Sequence, residues 1–110
     1  MADFSNIDKD GDGEIDHFVV DIKNDIGTGS ATIKELKIDG VPIPSEKVQL
    51  VVGNRPAKDF DPTSEIYSTY GDKISIHVEK EGGLEEGEHS LQVTAAIGWR
   101  TQAVSFKGEI

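Results

Sequence analysis

The stretch Glu81-Gly-Gly-Leu-Glu-Glu-Gly-Glu-His-Ser-Leu-Gln-Val93 limits what this chain can fold into more than any other part of it. Gly82 and Gly83 reach positive φ at no steric cost, so they place a tight turn. Leu84 is the one apolar residue between that turn and an acidic pair, and Gly87 supplies a second turn. His89, Leu91, Val93 and Ala95 then alternate with Ser90, Gln92 and Thr94. A period of two marks a strand with one buried face, here over residues 88–99.

A β-sandwich turns from one sheet into the other through such a Leu-x-x-Gly-x-His-x-Leu-x-Val run. His89 stands where tyrosine stands in the corner of immunoglobulin-like domains. Gly83, Leu84, Gly87 and His89 are therefore read as a structural corner, with His89 a buried ring hydrogen-bonded to the turn backbone.

The rest of the chain agrees with a sheet protein. Residues 15–23 form a strand pattern with Phe18, Val20 and Ile22 on one face and His17, Val19 and Asp21 on the other. Residues 31–39 are extended, but the spacing from Ile33 to Leu36 breaks the period, which predicts a β-bulge near Lys34 and Glu35. Asp39-Gly40 is a hairpin turn. Pro42 and Pro44 cannot donate to a ladder, so their segment belongs at an edge or outside the sheet. Further strands are expected over 47–53, 72–79 and 101–107. Residues 54–68 are irregular, with a helical turn expected after Pro62 and with Phe60 and Tyr67 pinning the loop to the body. The prediction is an all-β fold, an antiparallel immunoglobulin-like β-sandwich of six to eight strands. Residues 1–14 read as an acidic, turn-rich N-terminal segment and 15–110 as a single domain.

Charge narrows the partners. The net charge is −10, from 21 acidic and 11 basic residues. Residues 1–25 hold eight acids (Asp3, Asp8, Asp10, Asp12, Glu14, Asp16, Asp21, Asp25) against Lys9 and Lys23. A surface this negative, with no basic stripe, argues against nucleic acid and against anionic membrane. The absence of cysteine excludes disulfides, thiolate metal sites and a cysteine nucleophile. The N-terminus carries no basic region followed by an apolar run, so a cytoplasmic location is expected, with an extracellular or cell-surface one as the alternative.

One segment has the chemistry of a cation site. Asp8-Lys-Asp10-Gly-Asp12-Gly-Glu14-Ile-Asp16 alternates hard oxygen ligands with bend-permitting glycine, as calcium loops do. The run is not an EF-hand, because Val19 occupies the twelfth position and a strand follows. In the shorter strand-linked pattern Asp8, Asp10, Asp12 and Asp16 offer side chains and Glu14 its carbonyl. The competing reading is an acidic surface turn. His17, His77 and His89 show no metal-ligand spacing. No Gly-x-Ser-x-Gly or phosphate loop occurs, and Glu85, Glu86 and Glu88 read as a solvated turn. No catalytic residue and no cofactor of the chain's own is therefore expected, apart from calcium at Asp8–Asp16. Trp99 and Arg100 belong to the residue types that dominate interfaces, and Trp99 is either a core plug or a contact anchor.

Leu36-Lys-Ile-Asp-Gly-Val-Pro-Ile-Pro44, the strand from Val48 to Gly53, and Tyr70-Gly-Asp-Lys-Ile-Ser-Ile-His-Val-Glu-Lys-Glu-Gly-Gly-Leu-Glu-Glu-Gly-Glu-His89 together resemble one small family. It is the β subunit of bacterial C-glycoside deglycosylation enzymes, with its relatives. The likeness covers most of residues 15–99, and the Gly-Gly-Leu-x-x-Gly-Glu-His run is its specific part. The resemblance implies a non-catalytic sandwich that packs on a larger, metal-dependent TIM-barrel subunit and supports its active site. Two departures stand out: the loop Asn24-Asp-Ile-Gly-Thr-Gly-Ser30 lacks Tyr- and Arg-rich sequence, and the Asp8–Asp16 run is more acidic than the family needs. The alternative reading is a calcium-binding interaction or adhesion module of a larger surface protein.

Overall fold

The computed structural model describes residues 2–25 and 27–110, so Met1 and Ile26 of the 24–30 loop lie outside the described residues. Ten strands follow in chain order: β1 (Asp3–Ile7), β2 (His17–Lys23), β3 (Gly29–Ile38), β4 (Val41–Pro42), β5 (Val48–Val52), β6 (Lys58–Asp59), β7 (Ile66–Ser68), β8 (Lys73–Glu79), β9 (Glu88–Ile97) and β10 (Arg100–Glu109). Eight have three or more residues, and β4 and β6 are two-residue pieces. One sheet has the order β1-β2-β8-β5-β6; the other has β10-β9-β3-β4, with β7 also pairing β3. Every pairing is antiparallel, and the chain is an all-β sandwich.

The alternation of side chains explains why two sheets form and why they face each other. In the first sheet, Phe18, Val78 and Val48 stand side by side, as do Val20, Ile76 and Leu50. In the second, Leu36, Val93 and Val104 form one row and Ile38, Leu91 and Phe106 another. Phe18, Val20, Leu36, Ile76 and Leu91 are the largest fully buried side chains. Each such side chain contributes roughly 1.5–3 kcal/mol through removal from water.

Local chemistry sets the turns. Asp39 and Gly40 take φ of 50° and 84°, the two positive values a two-residue type I′ hairpin requires. The register of β3 on β9 shifts between Ile33 and Glu35, where the apolar period breaks. Pro42 sits in β4 at the sheet edge.

Four features differ from the sequence reading. Residues 3–7 are not turn but strand β1, and Ala2 and Phe4 enter the core, so the sandwich begins ahead of the expected 14/15 boundary. Phe4 is a lone aromatic among polar residues, and only the neighbouring strand reveals its burial. Pro62 starts no helix; Asp61 instead accepts from the Thr63 amide and hydroxyl at 2.8 and 2.6 Å and from the Ser64 hydroxyl at 2.9 Å, an Asx turn. Phe60 is buried as a pin, but Tyr67 faces solvent. Val19, on the mixed face of β2, is buried as well.

The topology gives the sandwich two ends. At one end lie the β1–β2 connection, the β8–β9 turn and the Asp39-Gly40 hairpin. At the other lie the β2–β3 loop, residues 53–57, the Tyr70-Gly71 turn and the Gly98-Trp99 hairpin. The longest dimension of the molecule is 42 Å.

Candidate functional site

The corner at the first end is built by side chains from three elements. Asn6 of β1 clamps Leu84 through its amide group: its Nδ2 donates to the Leu84 carbonyl and its Oδ1 accepts from the Leu84 amide, both at 2.8 Å. Gly83 has φ of 67°, and a Cβ there would stand 2.3 Å from Asn6 Oδ1. Glycine is thus required twice over at that position, by conformation and by space. Leu84 seals the core beneath.

The His89 side chain is 10 % exposed and is held at both ring nitrogens. Nδ1 lies 2.7 Å from Asp39 Oδ2, and Nε2 lies 2.6 Å from the Glu85 carbonyl oxygen. Both partners are acceptors, so both nitrogens carry hydrogen in this arrangement and the ring is the imidazolium. The hydrogen bond to Asp39 and then the one to Glu85 raise the His89 pKa above its ordinary value, against the opposing effect of burial. Asp39 also accepts from the Ser90 amide at 2.8 Å, and the Phe4 ring packs at 6.2 Å. The ring ties the β3–β4 hairpin, the corner and β9 together, and its nitrogens are engaged in the fold.

Beside the corner, Asp8, Asp10, Asp12 and Asp16 each bring a carboxylate oxygen within 4.8 Å of the others. The loop folds on its own amides. Gly11 and Gly13 donate to Asp8 at 2.9 and 2.7 Å, Asp12 to Asp10 at 3.1 Å, Glu14 to Asp12 at 2.8 Å and Lys9 to Asp16 at 2.9 Å. Glu14 therefore enters the loop through its backbone amide. Crowding of like charge shows in the protonation equilibria. The Asp12 amide favours the Asp10 carboxylate, yet desolvation by the surrounding loop, the hydrogen bond shared with Asp8 and the charges of Asp12 and Asp16 lift Asp10 to about 6. Asp16 drops to about 2, chiefly through its hydrogen bond to His17. Four hard oxygens on one loop fit the chemistry of a calcium ion.

Of the other two histidines, His17 touches the acidic loop and His77 stands apart. His17 pairs with Asp16 at 2.7 Å. His77 is half-buried, and its Nδ1 finds no hydrogen-bond partner among the described residues. Burial and then the charge of Lys9 lower its pKa.

The second end differs in character. Trp99 is 92 % exposed, which excludes a core plug, and the Arg100 guanidinium lies 5.9 Å from its ring centroid. Tyr70 at 63 % and Tyr67 at 51 % exposure lie at the same end. Arg55 bonds the Tyr67 carbonyl and stands 3.8 Å from Asp72. An apolar cleft of about 340 Å³ opens there between the sheets, lined by Ile22, Ile33, Ile66, Ile74, Ala95 and Val104. Tyr67 was expected to pin the 54–68 loop and Tyr70 was given no role from sequence; their place in turn-rich polar stretches was the available signal for exposure.

No helix among the described residues is long and apolar enough to cross a membrane. Residues 2–100 match a family model described as C-glycoside deglycosidase beta subunit. A search of curated proteins gives no match.

Proposed function

The chain belongs to the C-glycoside deglycosidase beta subunit family, and from that premise we propose that it is the non-catalytic subunit of a C-glycoside-cleaving complex. A β subunit acts in an assembly, and the match over residues 2–100 carries this reading. The larger partner is a metal-dependent TIM-barrel enzyme in this proposal, and the present chain packs on it and supports its active site. The aromatic end is the contact surface. Trp99 and Arg100 supply the residue types that concentrate binding energy, and Tyr67 and Tyr70 extend the exposed aromatic area. The commitment of His89 and Asp39 to the corner supports a structural role for them. The strand order also supports an immunoglobulin-like assignment: β1-β2-β8-β5 opposite β10-β9-β3 has the order A-B-E-D opposite G-F-C. Light scattering on the chain co-expressed with the larger subunit tests the reading. A stable hetero-complex supports it, and two species that never co-migrate refute it.

A second reading rests on one observation, the four carboxylates within 4.8 Å. Calcium at Asp8, Asp10, Asp12 and Asp16 would neutralise the repulsion within the loop and staple β1 to β2. Such a site suits an interaction or adhesion module as well as a subunit. Isothermal titration with calcium at millimolar concentration tests it, and an absence of heat together with an unmoved melting temperature removes it.

A further inference from the structure

The two sheets end in four edges, and three of them are short. β4 has two residues, one of them Pro42, with Pro44 following; β6 has two residues; β1 has five. Natural sheets are blunted in such ways because an open edge recruits other strands. β10 is different. It runs ten residues, pairs with β9 without a register shift, and contains no proline. Between Arg100 and Lys107 it carries no charge.

The phase of its hydrogen bonds follows from the hairpin. Gly98 and Trp99 form a two-residue turn, so Ile97 and Arg100 are the closing pair, which exchanges both ladder bonds. Counting by two, Gln102, Val104 and Phe106 also bond toward β9. Thr101, Ala103, Ser105 and Lys107 direct their N–H and C=O groups outward. One contact fixes this phase independently: the Lys107 carbonyl accepts from the Ala2 amide at 3.4 Å. The chain's own N-terminal segment thus already uses the far end of this edge. Among the described residues no backbone hydrogen bond reaches the outward groups of Thr101, Ala103 or Ser105, and all three residues are exposed.

We infer that the outer edge of β10, from Thr101 to Ser105, receives an extended strand of the partner subunit, which adds to the β10-β9-β3 sheet by backbone hydrogen bonding. This inference rests on the subunit reading above and names its mode of contact. Trp99, 92 % exposed at the start of this edge, is the side-chain anchor beside the added strand. The occupant is a partner and not a second copy. Two copies would each bring a charge of −10, which opposes association.

Hydrogen exchange on the full chain, alone and co-expressed with the larger subunit, tests the inference. The amides of Thr101, Ala103 and Ser105 exchange freely in the isolated chain and slow by about a hundredfold in the complex. Ala103→Pro removes one outward N–H without breaking the β9 ladder and weakens the complex by about tenfold. Ala103→Ser, which keeps that N–H, binds as the unaltered chain does, and both variants melt as single cooperative species. A complex that forms with unchanged exchange at these amides overturns the inference and leaves the subunit reading standing. Protection of the same amides in a homodimer assigns the edge to a second copy and also overturns it. Failure of any complex to form refutes both.

Discussion

His89 Nδ1 and Asp39 Oδ2 lie 2.7 Å apart across fifty residues of chain, and the contact joins the hairpin ending β3 to the start of strand β9. Because the Glu85 carbonyl takes the other ring nitrogen, loss of the imidazolium proton leaves one nitrogen lone pair facing an acceptor. The raised His89 pKa gives the sign. Its stabilisation is complete below the ordinary histidine value of about 6.5 and is lost as pH rises through the higher folded value. Asp39 works in reverse. Burial opposes its ionisation, but the hydrogen bonds from His89 and Ser90 hold its pKa below normal. Its contribution is present above about 3.9 and is lost as pH falls through the lowered value. Urea unfolding followed from pH 5 to 9 is expected to show stability declining above neutrality, and His89→Phe is expected to abolish that slope.

Asn6→Ala removes both hydrogen bonds to the Leu84 backbone. The stranded amide and carbonyl cost about 1–3 kcal/mol, read as a lower denaturant midpoint at unchanged m-value. Gly83→Ala is expected to be at least as damaging, because the new methyl meets Asn6 at 2.3 Å in a conformation with φ of 67°. The double substitution is expected to cost less than the sum, since the first change removes the atom the second strikes.

These two positions show what sequence could and could not disclose. The glycines and the period of two after Gly87 locate the turn and the strand, because both depend on neighbours in the chain. The β3 bulge was legible for the same reason: Ile33 and Leu36 fall out of phase in the sequence itself. Asn6 was not legible, because its partner lies 78 residues away and asparagine is common in turns. Phe4 likewise looked like part of a polar tail until β2 and β10 were placed beside it. Trp99 had two plausible environments, and only the hairpin geometry chose solvent.

Asp10 is expected to act against the fold near neutrality. With its pKa raised to about 6, the native loop holds a proton that the unfolded chain releases near pH 3.9, so this residue lowers stability as pH rises from about 4 to 6. Asp10→Asn is therefore expected to raise the melting temperature at pH 7 without calcium. If calcium binds the loop, the unaltered chain gains more from the ion than this variant does. Differential scanning calorimetry with and without calcium measures both effects.

Trp99→Ala is expected to leave folding stability within about 0.5 kcal/mol, as for other exposed positions without special contacts. Its effect belongs to association: an anchor of this type costs about 2 kcal/mol or more of binding on truncation, a loss of roughly thirtyfold in affinity. Calorimetric unfolding of the isolated chain and titration against the larger subunit separate the two quantities.

Cleavage of a C-glycoside by the larger subunit alone, by this chain alone and by the two mixed tests the subunit role most directly. The account predicts no turnover by this chain, weak or no turnover by the larger subunit, and full activity at equimolar mixing. Turnover by the isolated chain, or an unchanged rate when it is added to its partner, would contradict it.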